Sequence, residues 1–351
     1  MTSRIPVAIL GATGTVGQKL VRLLDGHPWF EVAHLAASDA SAGKPYGEVV
    51  RWRETTPLPE RAAALVVASS RQPASVPLAF SALDTQAAAE LEPIWAQSGA
   101  AIVTNASPFR LEPDTPLVIP EVNPDHLSLL ERQRRERGWR GAIVANPNCT
   151  TTGLALALAP LQQRFGVDRL FVSTMQAISG AGWPGVASLD INGNVIPYIP
   201  NEEEKVERET RKLLGKASDS EIVEAPIVVS AHTNRVAVID GHTETVSIGF
   251  ERSVSIDEVK DALRSFRPEA RIAALPSTPE RPIEVDERID RPQPRLDLER
   301  GRGMTVVVGR VRPCPLLHVR LVLLSHNTVR GAAGATIQNA ELLVSAGVVA
   351  R

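Results

Sequence analysis

The sequence predicts an α/β protein in two units. The first is a mostly parallel, doubly wound sheet, and the second an α+β unit with a largely antiparallel sheet. Three observations carry this. Short apolar runs alternate with helical patterns through the first half, a glycine triplet follows the first of them, and longer extended segments take over beyond Cys149. At 351 residues the chain also exceeds what a single core of ordinary size serves.

In the first half, runs at 7–10, 32–37, 65–69, 78–83, 101–106 and 142–147 read as buried strands, with helices at 16–24 and 85–98 between them. That rhythm means β-α-β units and a parallel sheet. Segment 127–140 reads as a charged helix. Glu131 and Glu136 stand among its arginines, which marks a solvated face and not a nucleic-acid patch. Beyond Cys149 a helix is expected at 150–165, a strand at 170–177, a glycine-containing loop up to Asn201 and a charged helix at 201–214. Extended segments at 221–238, 241–251 and 304–327 supply the second sheet, and 276–300, rich in Pro, Arg and Asp, reads as a surface excursion. The helical tail at 332–350 is expected to return to the first unit. The expected division is therefore 1–148 completed by 328–351, and 149–327.

Composition excludes several classes. With 43% hydrophobic and 22% charged residues the chain reads as a globular protein. A net charge of −2 gives no reason to expect nucleic acid or an anionic membrane as partner. The apolar run at 5–10 ends in a glycine turn, so it is neither signal peptide nor membrane span. Two distant cysteines make no disulfide framework, and a cytoplasmic protein with reduced thiols is expected.

The stretch VAILGATGTVGQKLVRLL is strand, glycine turn and helix in that order. Gly11, Gly14 and Gly17 permit the tight turn and let backbone N–H groups approach a pyrophosphate, a variant of the dinucleotide fingerprint of a Rossmann-type domain. Thr13, Thr15 and Val16 complete the loop. At the end of the second strand, Asp39 suits a free 2′-hydroxyl, whereas Ser38, Ser41 and Lys44 suit a 2′-phosphate. The balance leans to NADP, with NAD the alternative.

The stretch ANPNCTTTG places Cys149 where a helix begins. A thiolate there is stabilised by free N–H groups and the helix dipole, which lowers its pKa. Cys314, between two prolines, reads as buried filler. Histidine is the usual proton partner of a thiol, and His242 stands just past an extended segment that carries Arg235. Thiol, histidine and nicotinamide together fit hydride transfer to or from a carbon held on sulfur.

With these residues in place, the sequence resembles aspartate-semialdehyde dehydrogenases, in particular the branch found in archaea, fungi and some bacteria. The segments GATGTVGQ, SAGK, NASPFR, PNCTT, QAISGAG, IPYIPNEEEKVERET, HTNRVAVIDGHTE and LSHNTVRGAAG carry the resemblance in family order over nearly the whole chain. It implies Cys149 as nucleophile, His242 as acid/base and Gln176 as the amide that orients the acyl group. It further implies Arg235 on the substrate α-carboxylate and Glu202 on its ammonium. Lys205 and Arg110 would hold the phosphate, with Asn148 beside them, and Ser179, Gly180 and Asn327 would lie near the nicotinamide. Of the consecutive Glu202, Glu203 and Glu204, only the i,i+3 spacing to Lys205 favours the first.

The implied reaction is NADPH-dependent reductive dephosphorylation of 4-phospho-L-aspartate to the semialdehyde through a Cys149 thioester, a step in lysine, threonine and methionine biosynthesis. The implied partners are a small-molecule substrate and phosphate, in a homodimer or homotetramer joined through the second unit, with no nucleic acid or membrane. The alternative is a malonyl-coenzyme A reductase or another acyl-phosphate or thioester reductase of the same fold. Two departures stand out. Asp39 and Ala40 precede SAGK where relatives carry an arginine for the 2′-phosphate, and Ala237 stands where relatives often have proline.

Overall fold

The computed structural model describes residues 4–218 and 221–350. Residues 1–3 and 351, the outermost positions of the first unit's expected bounds, lie outside the described residues, as do 219–220. The first sheet contains β1 (Ile5–Leu10), β2 (Phe30–Ala37), β3 (Ala68–Ser69), β4 (Leu78–Ser81), β5 (Ala101–Thr104) and β6 (Ala142–Ala145). All its pairings are parallel, in the order β3-β2-β1-β4-β5-β6. The order reverses between β1 and β4, and that reversal opens a crevice at the strands' carboxyl ends. β4, β5 and β6 are buried throughout, as unbroken apolar runs in a sheet covered on both faces must be.

The helices α1 (Thr15–Leu24), α2 (Thr85–Ser98) and α3 (Leu129–Arg137) flank this sheet. Asp84 caps α2 by accepting from the N–H groups of Gln86 and Ala87, and Gly99 ends it at φ 114°. α3 buries Leu129, Leu130 and Gln133 and turns its arginines outward, as its interleaved charges predict. The expected strand at 65–69 shrinks to Ala68–Ser69. The chain leaves the short helical turn Glu60–Ala63, Val66 pairs singly with Pro45, and its side chain is left largely exposed.

The second unit runs through α4 (Cys149–Phe165), β7 (Val167–Gln176), α5 (Glu202–Leu213), β8 (Val228–Arg235), β9 (His242–Phe250) and α6 (Ile256–Ser265). It continues with β10 (Ile283–Asp286), β11 (Val306–Pro313) and β12 (Val319–Ser325). The sheet order is β8-β7-β9-β12-β11-β10. It is a mixed sheet: the three inner pairings are antiparallel, but the edge pairs β8–β7 and β10–β11 are parallel. The crossover through α5 returns β8 alongside β7, which no hairpin could do. The excursion expected at 276–300 is likewise only partly superficial. It contributes the edge strand β10 and the buried Asp297, which binds Arg291 and Arg300 at 2.6 Å each.

α4 is apolar on every side and buried along nearly its whole length. After β12 the chain makes a π-helical turn, Val329–Ala333, and a final helix α7 (Gly334–Ser345) that packs on α1, β4 and β5. Arg330, with no exposed surface, fixes this return. Its Nη2 donates to Glu121 Oε1 at 2.7 Å, its Nη1 to Gln338 Oε1 at 3.0 Å and its Nε to the Met304 carbonyl at 2.6 Å. Removing one partner of such a buried pair strands a charge, so Arg330→Ala should lower unfolding free energy by about 3–5 kcal/mol. Urea midpoints check this, and Arg330→Met combined with Glu121→Leu should restore a large part of the loss.

Candidate active site

Cys149 is the first helical residue of α4, so the thiol is inside the first turn and not ahead of it. Asn148 is the cap: its Oδ1 accepts from Thr150 N at 2.9 Å and Thr151 N at 3.2 Å. Its Nδ2 donates to Glu202 Oε1 at 2.9 Å and its backbone N–H to Glu209 Oε2 at 2.6 Å. Asn148 borders the cleft, but its side chain is already committed to these partners.

His242 opens β9, and its Nε2 lies 3.2 Å from Cys149 Sγ. Its Nδ1 takes the backbone N–H of Ala177 at 3.0 Å. An amide nitrogen can only donate, so Nδ1 is unprotonated and the neutral ring carries its proton on Nε2, facing sulfur. Burial, reinforced by Arg235 and His326, holds the imidazole at about 3, so it is neutral across the physiological range. Burial pushes the Cys149 thiol up to about 12, and Glu202 adds to this, while Arg110, Arg235 and the Thr150 N–H pull the other way. The expectation of a lowered thiol pKa is thus corrected. The helix start is present, but desolvation of the sulfur outweighs it.

Register sets the remaining groups. Arg235 ends β8 beside Gln176 at the end of β7, and Ser325 ends β12 opposite His242. Arg235 is mostly buried and anchors one nitrogen on the Ala177 carbonyl at 2.7 Å. Gln176 is buried with its amide turned to Thr174 Oγ1 at 3.3 Å, and it is not among the residues bordering the cleft. On α5, Glu203 accepts from the backbone of β8 and Glu204 faces solvent. Glu202 is the glutamate turned inward, 3.7 Å from Lys205 Nζ. Arg110 reaches the cleft from the loop after β5. It pairs with Glu209 at 3.1 Å and donates to the Asn105 carbonyl at 2.6 Å.

Sequence reasoning missed two residues. Glu209 ties Arg110 to the start of α4. Lys212, lowered to about 8 by burial, donates to the carbonyls of Arg110, Glu112 and Thr115, each at 2.8 Å, and so fixes the loop that carries Arg110. The signal for Glu209 was available: it lies on the same helical face as Glu202 and Lys205. Cys314 is part-exposed, not buried filler.

The glycine loop fits a pyrophosphate. Gly11 has φ +72°, and a Cβ there would lie 2.5 Å from the Ala82 carbonyl oxygen; one on Gly17 would lie 2.3 Å from Gly11 O. Gly14 caps α1 with no side-chain bond, which leaves first-turn N–H groups free for an anion. Gly11, Thr13 and Gly14 border a recess of about 470 Å³ with Ser38 and Asp39. Thr15 and Val16 border the adjoining catalytic cleft of about 640 Å³. Cys149, Arg110, Glu202, Lys205, Arg235, Ser179, Gly180 and Asn327 border it too. Asn327 donates to Ser179 Oγ at 2.8 Å and accepts from Gly241 N at 2.8 Å. Gly17 and Ser41 border neither cavity: Gly17 packs under the loop, and the Ser41 N–H closes a turn onto the Ser38 carbonyl.

Comparison with known proteins finds relatives over nearly the whole chain. The family model described as semialdehyde dehydrogenase, NAD binding domain, matches residues 6–130, and that described as semialdehyde dehydrogenase, dimerisation domain, matches 158–330. A protein of Archaeoglobus fulgidus named aspartate-semialdehyde dehydrogenase is 49% identical over 99% of this chain and 100% of its own. The chain belongs to the aspartate-semialdehyde dehydrogenase family. A fungal relative of the same name, from Cryptococcus neoformans, is 44% identical over 99% of this chain and 98% of its own. The crystal structure of aspartate semialdehyde dehydrogenase with NADP from Candida albicans superposes with a TM-score of 0.90. It is 42% identical and covers 98% of this chain and 100% of that one. This family member is accordingly an oxidoreductase.

Two measurements check the electrostatics. Because burial pushes the thiol up to about 12, iodoacetamide labelling of Cys149 in the free protein should rise about tenfold per pH unit through the neutral range. A plateau below pH 8 (about the value of a free thiol) would contradict this. For His242, the unfolded chain binds a proton at 6.5 while the folded one resists it to about 3. Its stabilising contribution is therefore complete above 6.5 and is lost as pH falls toward 3. Urea midpoints of His242→Asn should fall less steeply on acidification, by up to about 1.4 kcal/mol per pH unit.

Proposed function

We propose that this protein catalyses NADPH-dependent reductive dephosphorylation of 4-phospho-L-aspartate to L-aspartate 4-semialdehyde, in the biosynthesis of lysine, threonine and methionine. The observation that carries the reading is the 3.2 Å Cys149–His242 pair in a cleft that also holds Arg235, Glu202, Lys205 and Arg110. Arg235 offers a guanidinium fork to the α-carboxylate and Glu202 a carboxylate to the ammonium. Lys205 and Arg110 suit the phosphate. An inward glutamate favours an amino-acid substrate over a coenzyme A thioester.

Cys149 attacks the acyl carbon as its thiol gives up a proton, which passes to the departing phosphate. The carbon–oxygen bond to phosphate breaks, and phosphate leaves past Lys205 and Arg110 while the acyl group stays on sulfur as a thioester. Reduced nicotinamide bound at the glycine loop, with Ser179, Gly180 and Asn327 nearby, would supply hydride to the thioester carbon. The resulting alkoxide expels the thiolate to give the aldehyde, and the thiolate then regains a proton from solvent to restore the resting thiol. His242 keeps its Nε2 proton throughout and donates a hydrogen bond to thiolate and alkoxide in turn, which is narrower than an acid/base role. Gln176 stands behind Arg235 and supports the end of β7. Asn148 positions the thiol and Glu202.

We assign 1–148 with 328–351 to cofactor binding and 149–327 to catalysis and association. The chain is expected to act as a cytoplasmic homodimer or homotetramer, with no nucleic-acid or membrane partner. Among the described residues no helix is long and apolar enough to cross a membrane.

With aspartate semialdehyde, reduction of NADP should require phosphate; no turnover with either nicotinamide would overturn the reading. Cys149→Ser should lower kcat by about a thousandfold or more. Lys205→Ala should raise the KM for phosphate while leaving that for the semialdehyde within about twofold.

A further inference from the structure

The loop after β2 presents Asp39 and Ala40 where an NADP enzyme of this kind would carry a cation for the 2′-phosphate. A carboxylate alone would repel that phosphate. We propose that Arg71, from the neighbouring loop after β3, supplies the missing cation and sets the preference for NADP over NAD. The proposal rests on the dinucleotide reading given above.

The topology brings the two loops together. β2 and β3 are parallel neighbours with Ala37 opposite Ser69, so both loops leave the same carboxyl edge of the sheet. Asp39 and Arg71 stand at equivalent offsets beyond that pair. Arg71 Nε lies 4.0 Å from Asp39 Oδ2, and both side chains remain more than half exposed. Ser69 links them: its Oγ donates to Asp39 Oδ1 at 2.5 Å and accepts from Arg71 N at 3.2 Å. At its far end the guanidinium is tethered to Glu90 of α2.

This group borders the same recess as Gly11, Thr13, Gly14 and Ser38, and among the described residues Arg71 is the only cation that borders it. Lys44, the cation that the sequence offers in the loop after β2, does not border it. Arg71 therefore does two things. It sits between Glu90, which it binds directly, and Asp39 at 4.0 Å, so it offsets part of the carboxylate charge a phosphate would meet, and it presents a planar donor set that matches phosphate oxygens. Asp39 remains able to accept from a free ribose hydroxyl, so the Asp39–Arg71 pair serves either nucleotide and the arginine tips the balance.

The test isolates the 2′-phosphate without turnover. Adenosine 2′,5′-bisphosphate and adenosine 5′-monophosphate differ only in that group, and isothermal calorimetry gives the affinity of each. Wild type should prefer the bisphosphate. Arg71→Ala should weaken it by about tenfold or more while leaving the monophosphate within about twofold. Asp39→Asn should strengthen bisphosphate binding. Arg71 is exposed, so an unchanged urea midpoint confirms that the variant folds. An unchanged ratio of the two affinities in Arg71→Ala overturns the proposal. Binding of neither nucleotide to wild type overturns the dinucleotide reading and this proposal with it, a distinguishable failure.

Discussion

Glu209 performs no chemistry in the proposed reaction, yet its carboxylate joins the groups on which the cleft depends. One oxygen accepts from the backbone of Asn148, ahead of the thiol, and the other from Arg110. The helix start and the proposed phosphate-binding arginine are therefore held to one point on α5. Burial drives the Glu209 pKa upward, and the Arg110 charge and the Asn148 N–H oppose it. A buried carboxylate is stable only with such partners, and the partners stay in place only while it is there. Lys212, one helical turn on, applies the same constraint to the loop that carries Arg110.

The returning chain closes the opposite side. A Cβ on Gly331 would lie 2.6 Å from the Cβ of Cys149, so the π-helical turn passes the thiol at a distance only glycine permits. Arg330, the adjacent residue, fixes that turn to Glu121 and Gln338. Close packing and a buried ion pair thus set the back wall of the cleft together, and the adjoining Thr328 and Ala332 border it.

Burial favours the neutral forms of the groups at and behind the sulfur. Cys149 is a thiol, His242 a neutral imidazole, and Glu244, fully buried on β9 one sheet row behind His242, is pushed well above the ordinary carboxyl range by burial. Arg110, Lys205 and Arg235 border the same cleft.

The sequence by itself determined the two-unit α/β organisation, the glycine turn at Gly11, a helix starting within one residue of Cys149 and the pairing of Glu202 with Lys205 on one helical face. Each follows from local chemistry: alternating apolar periods, glycine at a strand–helix junction, and i,i+3 spacing. The i,i+3 spacing already favoured Glu202 as the inward glutamate, and tertiary structure supplies the reason Glu203 is not available: the backbone of β8 claims it. Tertiary structure alone decided the parallel edge strands, which depend on crossovers rather than on strand composition. It also decided the protonation of the thiol and imidazole, since desolvation depends on what covers a group and not on its neighbours in sequence. Arg71 belongs with these: its proximity to Asp39 comes from the pairing of β2 with β3, a contact that no local pattern encodes.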